Sequence, residues 1–137
     1  MYKAPYFVVF FLFVLLFSCT HEEVKKETLF ELVSANESGI SFTNQLGFSQ
    51  DFNVYKYRNF YNGGGVAIGD INNDGLVDIY LTANQAKNKL FLNKGNFKFE
   101  DITDKANVGG TKAWSTGVTM VDINGDGTIT YTPNPGF

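Results

Sequence analysis

The clearest pattern of apolar and polar residues lies between residues 63 and 104. Four short apolar stretches alternate there with polar breaks: GGGVAIGD, LVDIYLT, NKLFLN and FKFEDIT. The sequence KGN at 94–96, between the last two, is typical of a tight hairpin, and no segment of this region has a helical period. Four short strands in about 40 residues predict one four-stranded blade of a β-propeller.

The same pattern begins again at residue 113, in AWSTGVTMVD. Seven positions of the first copy recur at a constant offset of 52 residues, which is the spacing expected of stacked or radially arranged units. The predicted fold class is therefore all-β: a partial β-propeller with about one complete four-stranded blade and the start of a second. The repeated positions are Gly65, Val66, Asp70, Ile71, Asn72, Asp74 and Gly75, matched by Gly117, Val118, Asp122, Ile123, Asn124, Asp126 and Gly127.

Residues 29–61 are rich in aromatic side chains, and FNVYKYRNFY at 52–61 tends to alternate as a strand would. We interpret 29–61 as an aromatic-rich β segment. Such clusters either fill a β core or stack sugars, and the core is the favoured reading here. Trp114 is expected to pack in the same way.

The N-terminus has the layout of a secretory signal. Lys3 precedes an apolar run from Tyr6 to Phe17, which is followed by the small residues Ser18 and Cys19. The run is short for a membrane-spanning helix, although an uncleaved anchor is the alternative. LFSC at 16–19 resembles a bacterial lipobox, so we expect residues 1–18 to be a lipoprotein signal peptide and Cys19 to be lipidated; the alternative is a chance cysteine beside an ordinary cleavage site.

Residues 19–28 are polar and read as a tether, and the only histidine, His21, lies in it. Loss of residues 1–18 removes Lys3 and no acid, which changes the formal net charge from −3 to −4. This charge argues against nucleic acid as a partner. We expect a membrane contact through the lipid, at the bacterial outer membrane or cell surface.

Two acidic loops carry the candidate chemistry. In DINNDGLVD, oxygen-bearing side chains stand at alternate positions, and Gly75 permits a sharp turn. Ca²⁺ takes about 6–8 oxygen ligands, and no His or Cys lies nearby to favour zinc or copper. The predicted ligands are Asp70, Asn72, Asp74, the backbone carbonyl of Leu76, and Asp78; in the second loop they are Asp122, Asn124, Asp126 and Thr128.

Other readings of these loops are open to test. An EF-hand needs a glutamate at its twelfth position and flanking helices, but Leu81 and Pro133 stand there and the flanks read as strands. An Asp/Asn/Gly turn that needs no ion is the plain structural alternative. The second loop has Thr130 where the first has Asp78, so its affinity for calcium is expected to be lower.

The stretch GGGVAIGDINNDGLVDIYLT resembles the FG-GAP or VCBS-type repeat of integrin-α-like β-propellers. Residues 60–127 are similar to the start of bacterial propeller lipoproteins related to cartilage acidic protein, which carry an ASPIC/UnbV domain. The resemblance implies that 62–137 holds such repeats, incomplete at the C-terminus, that the loop aspartates bind calcium, and that the propeller binds a protein or glycan outside the cell. The Phe-Gly and Gly-Ala-Pro ends of the named repeat are replaced by GGG and TAN.

The function predicted from the sequence is a lipid-anchored, calcium-binding module for binding or adhesion, without enzymatic activity. A propeller enzyme, hydrolase or lyase, would need a nucleophile with a base, and Ser115 and Thr116 have no evident partner. A dockerin-like module is the other alternative, because DINGDGTIT also resembles that calcium loop. We further expect the chain to be a partial sequence, since a ring needs about 4–8 blades to close.

Lipidation of Cys19 is directly testable. Expression in a bacterial host should give a membrane-bound protein that incorporates a fatty-acid probe. The Cys19→Ser variant should lose this label, because the thiol is the only acceptor the lipobox provides. Equal labelling of both proteins would contradict the lipoprotein reading.

Overall fold

The computed structural model describes residues 28–111 and 114–135. The chain divides into two units, Met1–Leu32 and Val33–Phe137. The described residues of the first unit, 28–32, form neither helix nor strand. The signal peptide 1–18, Cys19, His21 and the tether up to residue 27 lie outside the described residues. Within the described part of the chain, no helix has the length and apolar character needed to cross a membrane.

The regular secondary structure of the second unit is almost entirely strand. Among its described residues, one short helix, α1 (Ala35–Ser38), precedes β1 (Val66–Gly69), β2 (Asp78–Leu81), β3 (Lys89–Asn93), β4 (Phe99–Asp101), β5 (Ser115–Val121) and β6 (Thr130–Pro135). The first four strands form one antiparallel sheet in the order β1-β2-β3-β4, and the last two form a separate antiparallel pair. The predicted all-β fold, with one four-stranded blade and the start of a second, is confirmed.

The core lies on one face of the four-stranded sheet. Tyr80, Leu90 and Val108 form a buried cluster there, and Val118 and Met120 of the second repeat pack against it. The Tyr80 hydroxyl donates to the Val108 carbonyl at 2.6 Å, which satisfies the polar end of a fully buried ring. The contact between the two repeats therefore supplies much of the core of this unit.

The turn predicted at KGN is confirmed in the β3–β4 hairpin. The fourth strand, however, is shorter than the predicted FKFEDIT. Gly95, Asn96 and Phe97 all have positive φ angles, of 81°, 52° and 55°. The Lys94 amide donates to the Lys98 carbonyl at 2.7 Å and closes the loop. Phe97 therefore lies in the turn, exposed, and β4 begins only at Phe99.

The strand expected within the aromatic-rich segment 29–61 is not formed. The described residues there contain α1 and a series of turns. Asn53 explains the turn at its centre: its side-chain oxygen accepts from the Tyr55 amide at 3.0 Å, and its carbonyl accepts from the Tyr57 amide at 2.8 Å. An asparagine that bonds its own following backbone in this way competes with a strand ladder.

The aromatic residues of this segment pack as a cluster around Trp114. The ring centroids of Phe52, Tyr57 and Phe60 lie 5.1, 5.4 and 5.5 Å from that of Trp114. These are ordinary distances for aromatic packing. Phe60 and Trp114 are buried, so the packing role expected for Trp114 agrees with the structure. The alternation of aromatic residues here reflects this cluster and not a sheet.

The strand β6 contains two prolines, a residue type that is rare inside strands. β6 pairs with β5 from Val121↔Thr130 to Ser115↔Pro135. Proline removes a backbone donor and is tolerated on an edge strand; among the described residues β6 pairs with β5. With the offset of 52 residues, β6 stands in the place of β2.

Two neighbouring glycines offer a matched test of this packing. A Cβ built on Gly64 would lie 2.0 Å from the Thr82 carbonyl oxygen, whereas one on Gly63 would meet nothing within 4 Å. Gly64→Ala should lower the free energy of unfolding by about 1–3 kcal/mol or more, since the backbone must move. Gly63→Ala should change it by about 0.5 kcal/mol at most. Urea denaturation of both variants would show this difference, and equal effects would contradict the close approach.

Candidate functional site: two acidic loops

Both acidic loops are hairpin connections at the same end of their repeats. The first joins β1 to β2 and the second joins β5 to β6. Both are flanked by strands, a setting that fits neither an EF-hand nor a dockerin loop, because each of those needs helices. The repeat seen in the sequence is therefore also a repeat of structure.

The first loop folds around the carboxylate of Asp70. Its two oxygens accept the backbone amides of Asp74 at 3.2 Å and Gly75 at 2.8 Å. Asn72 donates its side-chain amide to Asp74 Oδ2 at 2.9 Å, and Asp74 Oδ1 accepts the Leu76 amide at 2.8 Å. Gly75 has a φ of 84°, which is why the position favours glycine. The loop conformation is held by its own polar side chains.

The second loop repeats these bonds at the equivalent positions. Asp122 accepts the amides of Gly125 at 2.7 Å, Asp126 at 3.2 Å and Gly127 at 2.7 Å. Asn124 donates to Asp126 Oδ2 at 2.7 Å, and Asp126 Oδ1 accepts the Thr128 amide at 2.7 Å. Two separate stretches of chain thus reach the same local structure, which shows that the short sequence pattern determines it.

These hydrogen bonds favour the ionised form of the loop acids. The Gly75 backbone amide lowers the pKa of Asp70, and the Gly127 amide lowers the pKa of Asp122. The bond from the Asn124 side chain lowers the pKa of Asp126. A pKa lowered by folding stabilises the loop above the ordinary aspartate range, and this contribution is lost as the pH falls through the folded-state pKa. At neutral pH all three are therefore carboxylates, the form that a hard cation requires.

Asp78 is placed differently from the other predicted ligands. It is fully buried at the start of β2, and its two oxygens accept the backbone amides of Ile71 at 2.9 Å and Asn93 at 2.7 Å. It thereby joins the end of the first loop to β3. Thr130, its equivalent in the second repeat, is exposed. Asp78 has a structural role in this fold whether or not an ion binds nearby.

The donor set fits a hard cation in its chemistry. Asn72 and Asp74 are exposed, Asp70 is half-buried, and all three offer oxygen ligands. The second loop offers Asp122, Asn124 and Asp126 in the same order and with the same pattern of exposure. In the described residues, however, no three Asp, Glu, His or Cys side chains converge on a point where they could hold a metal. An ion here would therefore depend on the amide and backbone oxygens as well as on carboxylates. The calcium site stays a prediction.

Sequence reasoning did not anticipate that the two loops touch. The side-chain amide of Asn73 donates to the Gly127 carbonyl at 3.0 Å, a bond that links residues 54 positions apart. Asn73 has a φ of 58°, a conformation that asparagine adopts more readily than most residues. Asn93 was missed as well, although its position at the end of a strand beside KGN marked it as a turn residue. Its side-chain amide donates to the Val77 carbonyl at 2.9 Å.

Comparison with known proteins identifies the repeat. Residues 70–129, which span both loops, match the model of the FG-GAP-like repeat family. Cartilage acidic protein 1 of Xenopus tropicalis is 38% identical over 72 residues, which are 52% of this chain and 11% of that protein. The resemblance to FG-GAP-like repeats and to proteins of the cartilage acidic protein type is therefore confirmed over this part of the chain. The chain spans about a tenth of the length of that relative.

The structural role of Asp78 can be separated from metal binding. In Asp78→Asn, one carboxylate oxygen becomes an amide group that faces a backbone donor. In the presence of a calcium chelator this change should lower the free energy of unfolding by about 1–3 kcal/mol, because a buried group loses its partner. Asp74→Asn, at an exposed position, should change it by about 0.5 kcal/mol or less. If both variants unfold like the parent under these conditions, the buried bonds of Asp78 do not support the fold.

Proposed function

We propose that this chain is a lipid-anchored, calcium-binding β-propeller module that binds a protein or glycan outside the cell and has no enzymatic activity. One observation carries the proposal. Two acidic loops within the FG-GAP-like match have the same spacing, fold in the same way, present the same oxygen donors, and contact each other. A pair of matched acidic loops at one end of adjacent sheets is the arrangement in which bound cations would brace a binding surface.

The residues that would hold calcium are those of the predicted ligand set. In the first loop they are Asp70, Asn72, Asp74 and the Leu76 carbonyl, with Asp78 at the far side. In the second they are Asp122, Asn124, Asp126 and the Thr128 carbonyl. The ion would supply positive charge that offsets the mutual repulsion of carboxylates crowded into one turn.

Hydrogen bonds within and between the two loops would hold these ligands in position. The backbone amides of Gly75 and Gly127 keep Asp70 and Asp122 ionised and oriented. The bond from Asn73 to Gly127 then makes the position of one loop depend on the other. Ordering of one loop would therefore also order the other, and the two loops would present one continuous surface to a partner.

Binding is favoured over catalysis by the side chains available. The only histidine and the only cysteine of the chain, His21 and Cys19, both precede the folded unit. Ser115, the serine considered as a nucleophile, is buried at the start of β5 and is used in packing. Hydrolysis by an activated nucleophile needs an exposed hydroxyl with a base in reach, and these residues do not provide one. The acids with clear spacing belong to the loops.

Attachment to the membrane through Cys19 completes the proposal. The polar stretch after Cys19 would hold the folded unit away from the lipid surface. Several acyl chains would be needed for stable anchoring, since one chain holds only marginally. The acidic residues Glu22 and Glu23 of the tether resemble an export tag of surface lipoproteins of the Bacteroidetes type, and a plain solvated linker is the alternative. The proposed location is the bacterial outer membrane or cell surface.

Calcium titration of the chain from Thr20 onwards tests the metal assignment. The first loop should bind more tightly, because Thr130 replaces the last aspartate in the second. Asp74→Ala should therefore lower the calcium affinity by about tenfold, which corresponds to about 1.4 kcal/mol, and Asp126→Ala should lower it less. Isothermal titration calorimetry would measure both.

Asp104→Ala is the matched control, since it removes an exposed carboxylate outside the loops. This control should bind calcium as the parent does. A larger loss for Asp126→Ala than for Asp74→Ala would contradict the ligand assignment. Absence of any calcium binding by the parent would overturn the metal part of the proposal.

A further inference from the structure

An open cavity lies between the end of the first acidic loop and the turn of the β3–β4 hairpin. Its volume is about 380 Å³, which falls in the range of about 300–1,000 Å³ that is usual for small-molecule sites. Of the predicted calcium ligands only Leu76 lies on its wall, and Leu76 belongs to that set through its backbone carbonyl alone. The cavity is therefore a separate site beside the loop. The residues that line it are Leu76, Asn93, Gly95, Asn96, Phe97 and Phe99.

Phe97 is the most exposed aromatic residue of this cavity. It is 74% exposed, and its backbone φ is 55°, in the left-handed region. Glycine adopts this region without strain, whereas a bulky side chain rarely does. Packing inside the fold does not account for the strain, because most of the residue is in solvent. A strained and exposed aromatic residue that lines a cavity is typical of a ligand-binding position.

One side chain, Asn93, joins the two walls of the cavity. Its amide donates to the Val77 carbonyl at 2.9 Å, next to Leu76 of the loop. Its side-chain oxygen accepts the Gly95 amide at 2.8 Å, in the turn of the hairpin. The loop and the hairpin are thereby held together, so a ligand does not have to order them.

Among the described residues, the side chains that line the cavity are all uncharged. The two lysines of the hairpin turn have other partners: Lys94 lies 3.8 Å from Glu100, and Lys98 donates to the Glu37 carbonyl. An uncharged lining matches an uncharged ligand, because a charged ligand would lose hydration here without gaining a counter-charge.

Asn96 adds polar groups to this mainly apolar surface. It is exposed, and among the described residues its side-chain amide has no protein partner. An asparagine amide offers both hydrogen-bond donors and an acceptor. The cavity thus combines an aromatic face with an open hydrogen-bonding group.

We propose that this cavity binds a neutral pyranose sugar of a glycan. One face of such a ring carries C–H groups, and its edge carries hydroxyls. The C–H face would pack on the Phe97 ring, and the hydroxyls would bond to the Asn96 amide. An apolar protein side chain would cover Phe97 but leave the Asn96 amide without a partner, so a sugar fits the lining better. The proposal names the ligand class of the binding function proposed above and rests on that function, although not on calcium.

Binding of the full-length chain to immobilised sugars tests the proposal. The protein is expressed in a bacterial host, purified in a detergent without a sugar head group, and passed over cellopentaose, maltopentaose and mannopentaose by surface plasmon resonance. At least one of these neutral glycans should bind the parent. Phe97→Gly should weaken that binding about tenfold, because the aromatic face is lost. Tyr55→Ala is the matched control: it removes an aromatic side chain that is 91% exposed outside the cavity, and it should bind as the parent does.

The same variant tests the strain at Phe97 by a second measurement. Glycine is unstrained at this φ, so the midpoint of urea denaturation of Phe97→Gly should equal or exceed that of the parent. Weaker binding at unchanged or higher stability would show that the ring serves the ligand and not the fold. A lower midpoint would show that the ring supports the fold and would overturn the proposal.

Three further results would overturn it. The parent might bind none of the three glycans, Phe97→Gly might bind them as the parent does, or pentagalacturonate, which is acidic, might bind as tightly as the neutral glycans. Calcium uptake by the same protein is measured separately. Calcium binding without glycan binding would remove the sugar site and leave the proposed function with a protein as its partner. Glycan binding without calcium uptake would remove the metal part of that function and support the sugar site.

Discussion

The four-stranded sheet has an apolar face that must be shielded from water, and this requirement organises the folded unit. Val118 and Met120 of the second repeat meet it by packing on Tyr80, Leu90 and Val108 of the first. The glycines at 65 and 69 allow the two strands to come close enough for this contact. Each repeat is therefore incomplete alone, as expected of units that share a core with their neighbours.

The acidic loops depend on the same arrangement, although they lie outside the core. Each loop is formed by local hydrogen bonds to an aspartate at its start, Asp70 or Asp122. Their mutual position is set by the packing of β1 beside β5, which brings Asn73 to the Gly127 carbonyl. The loops therefore lie at one end of the two repeats, apart from the apolar packing between the repeats that positions them.

Asp78 is both a predicted calcium ligand and a buried residue that holds two strands together. Its spacing after Asp70 made it one of the predicted calcium ligands, a role that stays a prediction. Its carboxylate is nevertheless buried and bonded to the amides of Ile71 and Asn93. Buried carboxylates are costly unless hydrogen-bonded, and here two backbone donors provide the partners.

The sequence by itself determined the elements whose causes are local. Periodicity predicted β1 to β5, the glycine and asparagine of KGN predicted the hairpin, and Asp70, Asn72, Asp74 and Gly75 predicted a sharp turn rich in side-chain oxygens, which both repeats adopt; calcium binding by this turn stays a prediction. Tertiary structure decided the rest. The aromatic residues of 52–61 alternate because they gather around Trp114, about 60 residues away in the chain, and not because they form a strand. Pairing with β5 makes a strand of the proline-bearing Thr130–Pro135, and burial against β3 gives Asp78 its structural role. Dihedral preferences and hydrogen bonds between near neighbours are visible in a short stretch of sequence, whereas contacts between distant segments depend on how those segments meet in space.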